Sequence, residues 1–468
     1  MSSPQPSHLE AGQIADRLDR LPATRTIWIY VVLLSLGGFF EYYDLFFTGY
    51  IAPRLVQSGI LTATTRGLFG TTGIASFVAA MFSGLFLGTA LFGFVSDRFG
   101  RRTIFTFSLL WYTAASIVMA FQNDVFGLNL WRFISGIGVG VELVTIDSYI
   151  SELAPKHIRG RAFAYNAAIQ FCAVPMVALL AWLLVPRSPV GIAGWRWVVL
   201  IGATSAILVW WIRRRVPESP RWLAQHGCEK EALLILEDLE KRAGAESSGL
   251  SLLTPPPPRS AEPRPVPGRF PEIWRSPYLQ RTLMLAIFNV FQTIGFYGFS
   301  NWVPTLLIQH GITLTNSLEY TFIIAISAPF GPLLAASVAD RFERKYQIVC
   351  AALVVALSGI AFAQTMQASF LILFGIALTL SNNVMSYSFH AYQAELYPTR
   401  IRALAVGFVY SWSRLSVVVT SFLIAFVLAH LGVTGVFALI AGSMAMVMLV
   451  IGLLGPRTNN LALEAISQ

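Results

Sequence analysis

The chain has 468 residues, of which 55% are hydrophobic and only 12% are charged, with a formal charge of +9. A soluble domain carries about 25% charged residues, so a water-soluble enzyme or binding module is excluded. The positive balance does not indicate nucleic acid, because Lys and Arg sit in short loops between apolar runs, the distribution of the positive-inside rule.

Residues 1–26 are polar, with no apolar core ahead of a cleavage site, so no cleaved signal peptide is expected. Within them Ile14, Leu18 and Leu21 fall near one helical face. That face suggests a short helix on the membrane surface, with a solvated tail as the alternative. Twelve apolar spans follow, near 27–51, 72–95, 103–121, 126–150, 162–186, 195–213, 281–308, 318–338, 347–366, 368–393, 403–429 and 433–454. Each is long enough to cross about 30 Å of hydrocarbon. The expected organisation is a six-span half (27–213), a linker (214–280), a second six-span half (281–454) and a tail (455–468). The linker holds an amphipathic stretch from Lys230 to Arg242 and four consecutive prolines, Pro255 to Pro258, which read as an extended segment. An even span count puts both termini on one side. The Arg- and Lys-bearing loops fall on that side, which is therefore expected to be cytoplasmic. Cys172, Cys228 and Cys350 are scattered with no metal-ligand spacing, so no disulfide, metal or cofactor is expected.

Two loop motifs repeat with one offset. Gly93-Phe-Val-Ser-Asp97-Arg98-Phe-Gly100-Arg101-Arg102 has a weaker copy at Ala336 to Lys345, which contains Asp340, Arg341 and Arg344. Glu152-Leu-Ala-Pro with Arg159 matches Glu395-Leu-Tyr-Pro with Arg402. Asp97 and Asp340, Glu152 and Glu395, and Arg159 and Arg402 all stand 243 positions apart. The chain is thus a duplicated unit. These charges are expected to form an ion-pair gate that ties helices together at one membrane face in one state and opens in the other, with simple anchoring of helix ends at the lipid interface as the alternative.

Charges inside a span are costly and mark function. The first span holds Glu41 and Asp44, three apart and so on one face. The fourth holds Arg132, Glu142 and Asp147, the eleventh Arg414, and the tenth ends in His390. An acid on one span and an arginine on another can couple protonation to conformation through alternating proximity. Glu41 or Asp44 on the first span with Arg132 on the fourth supply those parts, with a purely structural ion pair as the alternative. Glu142 and Asp147 are expected to pack within the first half or join its cytoplasmic charges. Arg414 offers a planar fork for a substrate carboxylate, or else pairs with a protein acid such as Asp44. Tyr43, Tyr297, Tyr387, Tyr410, Trp412 and Phe40 are candidates to shape a cavity for a flat ligand. Asn382, Asn383, Tyr387 and His390 share roughly one face of the tenth span. Asn166, Gln170, Asn289 and Gln292 are further cavity candidates, since an amide facing lipid is costly.

These motifs together resemble the major facilitator superfamily. The first loop matches at Gly93, Asp97, Arg98, Gly100, Arg101 and Arg102. Arg132-x-x-x-Gly136-x-Gly138-x-Gly140, the segment Tyr149 to Gly160, and Pro217-Glu218-Ser219-Pro220-Arg221 resemble the sugar-porter and organic-ion branches. The resemblance implies an all-α fold of two six-helix bundles around a central cavity. In proton-coupled sugar porters an Asp on span one and the Arg of the Arg-x-x-x-Gly motif act in coupling, positions that fall here on Asp44 and Arg132. In organic anion transporters and nicotinate-type carriers an Arg lies twelve residues after the loop arginine, which is Arg414 here. Three departures argue against a sugar. Tyr297 replaces an Asn on span seven, Ala167 replaces a Gln on span five, and Ser386 to His390 replace Gly-Pro-x-x-Trp on span ten. The expectation is a monomeric secondary transporter in a bacterial inner membrane, taking up a small organic carboxylate, with aromatic acids of the benzoate or nicotinate type among the candidates, together with protons. Its substrate site would comprise Arg414, Tyr43, Gln170, Gln292, Tyr297, Asn383, Tyr387 and Tyr410. Export of an organic cation, sugar symport, or a non-transporting sensor are the alternatives.

Overall fold

In hydrocarbon every backbone N–H and C=O must find a partner within the protein, and a helix meets that demand inside one segment. The computed structural model describes residues 8–62, 64–68, 72–92, 98–246, 270–338 and 341–458. Among these residues the regular structure is helical, apart from one isolated bridge between Arg66 and Thr72. Ten helical runs are long and apolar enough to cross a membrane, the last being Leu404–Leu454. That run is interrupted at Gly432, where φ is 65° and a side chain would be strained, so it divides into two spans. One further span is built from two shorter helices, Gly194–Gly202 and Ser205–Arg215. The result is the expected twelve-span, all-α architecture.

Local chemistry sets several helix starts. Thr24 accepts a hydrogen bond from the Ile27 N–H and opens the first span, Arg25–Gln57. Asp124 accepts one from Gly127 (2.7 Å) and opens the fourth, Val125–Leu153. Ser219 caps Pro220–Gln225, with Pro220 in the first turn, where a missing N–H costs nothing. The glycines of the fourth span have a packing role. A Cβ on Gly136 or Gly140 would collide with the carbonyls of Met81 and Leu85, and one on Gly84 or Gly88 would meet those of Phe133 and Ile137. The second and fourth spans therefore touch backbone to backbone, as small residues permit in a membrane.

Two apolar cores form. One is built mainly from residues between Ile14 and Ala243, the other from residues between Ile273 and Ile451. Phe296, Leu318, Ala325, Ala328 and Val417 of the second half pack into the first core, and Ala75 packs into the second.

The apolar face of the N-terminal helix, His8–Arg20, packs on protein. Ile14, Leu18 and Leu21 are buried at 1–2% exposure, against the two helices after the sixth span, Pro220–Gln225 and Glu229–Glu246. Protein covers the face that the sequence assigns to the membrane surface. Arg17 forks onto Glu240 (2.9 and 2.6 Å), which raises its guanidinium above its ordinary range.

Candidate substrate and proton site

Between the halves lies a cavity of about 500 Å³, within the range of small-molecule sites. The first span contributes Glu41, Tyr42, Leu45 and Phe46, the fifth Asn166 and Gln170, the seventh Asn289, Gln292 and Tyr297, the tenth Asn383, Tyr387 and His390, and the eleventh Tyr410 and Arg414. The lining continues to Gly160, Ala391 and Ala394, beside the loops that carry Arg159 and Glu395. At the opposite end Trp182 stacks on Phe322 (5.8 Å, 14°), and Gly49 packs directly on the backbone of Asn301. The cavity thus opens toward the basic loops and is closed at the other end.

Arg414 is the cation of this cavity. It is 3% exposed. It donates to the hydroxyls of Tyr297 (3.0 Å) and Tyr410 (2.8 Å), and its Cζ lies 4.9 Å from the Tyr410 ring centre. Its Nε has no hydrogen-bond partner, and among the described residues no carboxylate pairs with it. Tyr297 is held in turn by edge contacts to Phe82 and Phe296 (4.8 and 4.9 Å). His390 stands edge-on to Tyr410 at 5.3 Å. The guanidinium is therefore oriented by neutral hydroxyl acceptors and aromatic rings, with no carboxylate in contact with it among the described residues.

Asp44 and Arg132 meet outside the cavity lining. Arg132 Nη1 donates to Asp44 Oδ2 at 2.7 Å, and Nη2 donates to the Asp44 carbonyl and to Thr48. Ser116 (2.7 Å) and Ser135 (3.1 Å) complete the carboxylate's shell. The guanidinium lies 4.2 Å from the Phe47 ring centre and is fully buried. This pair excludes the alternative in which Asp44 neutralises Arg414. Glu41, one turn earlier on the first span, is 1% exposed with both carboxylate oxygens unpartnered. Asp147 lines the cavity nearer its open end.

Several candidates lie elsewhere. Tyr43 faces the sixth span instead of the cavity: its hydroxyl donates to the Val198 carbonyl (2.7 Å) and its ring packs on Gly202. Tyr42, its neighbour, takes the cavity position and stands edge-on to Phe171 (5.1 Å). Phe40 and Trp412 are absent from the lining, Trp412 packing on Phe408. Asn383, Tyr387 and His390 share the cavity face, while Asn382 turns into the second half toward Gly295. Thr48, Ser116 and Ser135 escaped the sequence reading. Thr48 and Ser135 stand one turn after Asp44 and Arg132, a spacing that marks them, whereas Ser116 carries no such signal.

At the open end Arg101 donates twice to Glu152 (3.0 and 2.8 Å), and Arg344 pairs with Glu395 (3.0 Å). Glu218 accepts from the backbone N–H groups of Arg101 and Arg102 (2.9 and 3.2 Å), placing a carboxylate at a helix N-terminus where the dipole favours it. Gly100, at φ 93°, leaves room for that carboxylate. Asp19 of the N-terminal helix joins Arg159 (3.0 Å) and Arg221 (2.7 Å). Arg402 donates to the Tyr397 carbonyl (3.1 Å), Arg98 lies over Phe99 (5.5 Å), and Arg341 is exposed. The Asp44–Arg132 and Arg101–Glu152 pairs stay within the first half and Arg344–Glu395 within the second, while Arg17 and Asp19 tie the N-terminal helix to the helices after the sixth span and to Arg159. Gly93, Asp97 and Asp340 lie outside the described residues.

The family model for sugar (and other) transporters matches residues 30–468. The chain belongs to this family. YyaJ of Bacillus subtilis (strain 168), named for metabolite transport, is 32% identical over 445 residues, covering 95% of this chain and 96% of its own. The niacin transporter NiaP of Acinetobacter baylyi is 28% identical over 458 residues, covering 97% and 99%. The xylose transporter XylE from E. coli, in a partially occluded inward-open conformation, aligns with a TM-score of 0.73 at 19% identity, covering 94% of this chain and all of its own. That likeness shows the major facilitator fold. This family member is a multi-pass membrane protein and a secondary transporter, and its cavity is the candidate translocation site.

Proposed function

We propose that this transporter carries a small organic carboxylate, with a flat aromatic body, together with protons. The observation that carries the reading is Arg414: a buried guanidinium that faces the cavity, braced by two tyrosine hydroxyls and paired with no protein acid. A buried charge left unpaired is expensive, and a substrate carboxylate supplies the missing partner in the geometry a guanidinium prefers. Tyr42, Phe171, Tyr297 and Tyr387 offer ring faces to a flat body. Gln170, Gln292 and Asn383 supply amides for its polar edge. The name of the niacin transporter supports the same ligand class.

Proton coupling is assigned to the Asp44–Arg132 pair, with Glu41 as the carboxyl nearest the substrate. In this state the pair is closed and the cavity opens toward the basic loops. Separation of Asp44 from Arg132 leaves a carboxylate without its cation, and proton uptake relieves that state. The two halves then rock about the midplane site. The Arg101–Glu152 and Arg344–Glu395 pairs brace the helix ends that move. The basic loops set the open end and both termini in the cytoplasm. The bacterial relatives support an inner-membrane location, and the protein is read as a monomer.

The test is uptake into proteoliposomes of a labelled panel of aromatic acids, sugars and organic cations, with and without an inward proton gradient. Gradient-dependent acid uptake that is lost in Arg414→Ala and Asp44→Asn is expected. Uptake of sugars or cations alone, or an Arg414→Ala variant that carries acids as the wild type does, overturns the reading. The cation arm of the panel has its own basis, since the unpartnered Glu41 carboxylate lines the same cavity.

A further inference from the structure

One buried carboxylate has no part in the site described above. Glu142 lies on the fourth span two turns after Ser135, is fully buried, and has no hydrogen-bond partner on either carboxylate oxygen. It does not line the cavity. Its Oε1 sits against the first span: a Cβ on Gly37 would stand 3.3 Å from it. Gly37 is one turn before Glu41, whose two oxygens are equally without a partner. On the third-span side lies Tyr112, 2% exposed, with its own hydroxyl unpartnered, while the Phe105 ring closes the space beside Gly37. The titratable groups that act on Glu142 are Glu41 and Asp44 from the first span and Tyr112 from the third. Of these, Asp44 is already satisfied by Arg132, Ser116 and Ser135. No cation reaches Glu142 from any of these elements.

Two buried glutamates on facing spans therefore present four acceptor oxygens that no side chain satisfies, with Asp147 and Arg414 acting on Glu41 from the cavity side. A buried carboxylate anion without a partner is costly, and a second one beside it adds repulsion. The Phe105 ring fills the space beside Gly37, and the nearby Tyr112 hydroxyl donates to neither glutamate. A proton is the partner that fits. We propose that Glu142 binds a proton during transport and exchanges it with Glu41, so that the two carboxyls form a proton store behind the substrate cavity. Glu41 faces the cavity and is the point of entry. Glu142 holds the proton away from the substrate's own carboxylate.

The inference rests on the proton-coupled reading, but its first test needs no substrate. Infrared difference spectra of the protein in lipid, with and without ¹³C-glutamate, are compared between acidic and alkaline pH. The wild type is expected to show an isotope-sensitive carbonyl band of buried protonated glutamate. Part of it disappears in Glu142→Gln, part in Glu41→Gln, and all of it in the double variant. A band unchanged by Glu142→Gln overturns the proposal. So does a Glu41→Gln protein with no remaining buried glutamate band, a measurement that stands even where Glu142→Gln fails to fold. In proteoliposomes the loss of one coupled proton lowers the accumulation ratio by about fiftyfold at a driving force of about 100 mV. Glu142→Gln is expected to show that drop and a flattened pH profile. If the wild type accumulates acids on a proton gradient and Glu142→Gln does so equally, Glu142 is not part of the proton path. If the wild type shows no proton dependence, it is the transport reading that fails, and the infrared result then decides on Glu142 alone.

Discussion

Replacing Arg414 by alanine isolates the term on which the substrate assignment depends. The guanidinium is 3% exposed, so solvent does not screen its interaction with a bound carboxylate. Removing one partner of a buried, hydrogen-bonded charge pair costs about 2–5 kcal/mol. In Arg414→Ala the hydroxyls of Tyr297 and Tyr410 are released and remain beside the ligand as neutral donors. They recover part of the loss and place the expected effect near the lower bound, about 2–3 kcal/mol, or a 30- to 150-fold rise in Kd. The assay is equilibrium binding to purified protein, measured for an aromatic acid from the uptake panel and for its primary amide. The amide keeps the ring and the shape and removes the charge. Wild type should bind the acid more tightly than the amide, and Arg414→Ala should abolish most of that difference. Arg414→Lys keeps a point charge but loses the fork, so it should fall between the two. Equal losses for acid and amide would mean that Arg414 only shapes the cavity, and the reasoning above would then be wrong.

Asp44→Asn should retain binding of the acid and lose accumulation driven by a proton gradient, as measured by comparing equilibrium binding with gradient-driven uptake. Tyr43→Phe removes one buried hydrogen bond to Val198, so it should cost about 1 kcal/mol of stability and lower the thermal midpoint slightly, while acid binding stays at the wild-type level. Gly136→Val places a branched side chain against the Met81 carbonyl and should separate the second and fourth spans; loss of a monodisperse peak in size-exclusion chromatography reads this out. Glu218→Ala strips the acceptor from the Arg101 and Arg102 N–H groups at a helix start, and thermal unfolding should report a loss of about 0.5–2 kcal/mol.

The architecture was legible because its signals are long or repeated. Twenty-residue apolar runs, loops rich in arginine and a 243-residue offset survive errors of several residues in any boundary. The pairing of Asp44 with Arg132 was legible through the family resemblance, since the charges within spans alone left Glu41 and Asp44 both open. Rotational phase was not. Tyr42 and Tyr43 differ by 100° around one helix, and only the packing of the first span on Val198 and Gly202 of the sixth decides which of them faces the cavity. Asn382 and Asn383 present the same ambiguity on the tenth span. The N-terminal helix misled for another reason. An apolar stripe on a charged helix fits a lipid surface and a protein surface equally well, and the choice was made by Leu236, Leu239 and Ala243, more than two hundred residues away. Ser116 was illegible because its role depends on how the third span packs against the first.

The confinement of ion pairs within each half bears on the energetics of switching. The contacts between halves are made by groups such as Trp182 with Phe322 and Phe82 with Tyr297, while the guanidinium–carboxylate pairs stay inside one bundle or the other. Leaving this state therefore exchanges apolar surface between the halves and leaves the Arg101–Glu152 and Arg344–Glu395 pairs intact, with Asp44–Arg132 buried away from solvent salt. Apolar exposure carries a large heat-capacity change, whereas ionic strength acts on separated charges. Reorientation from this state should accordingly show curved temperature dependence and little response to added salt, so the carrier would behave toward its surroundings more as a thermometer than as an electrometer.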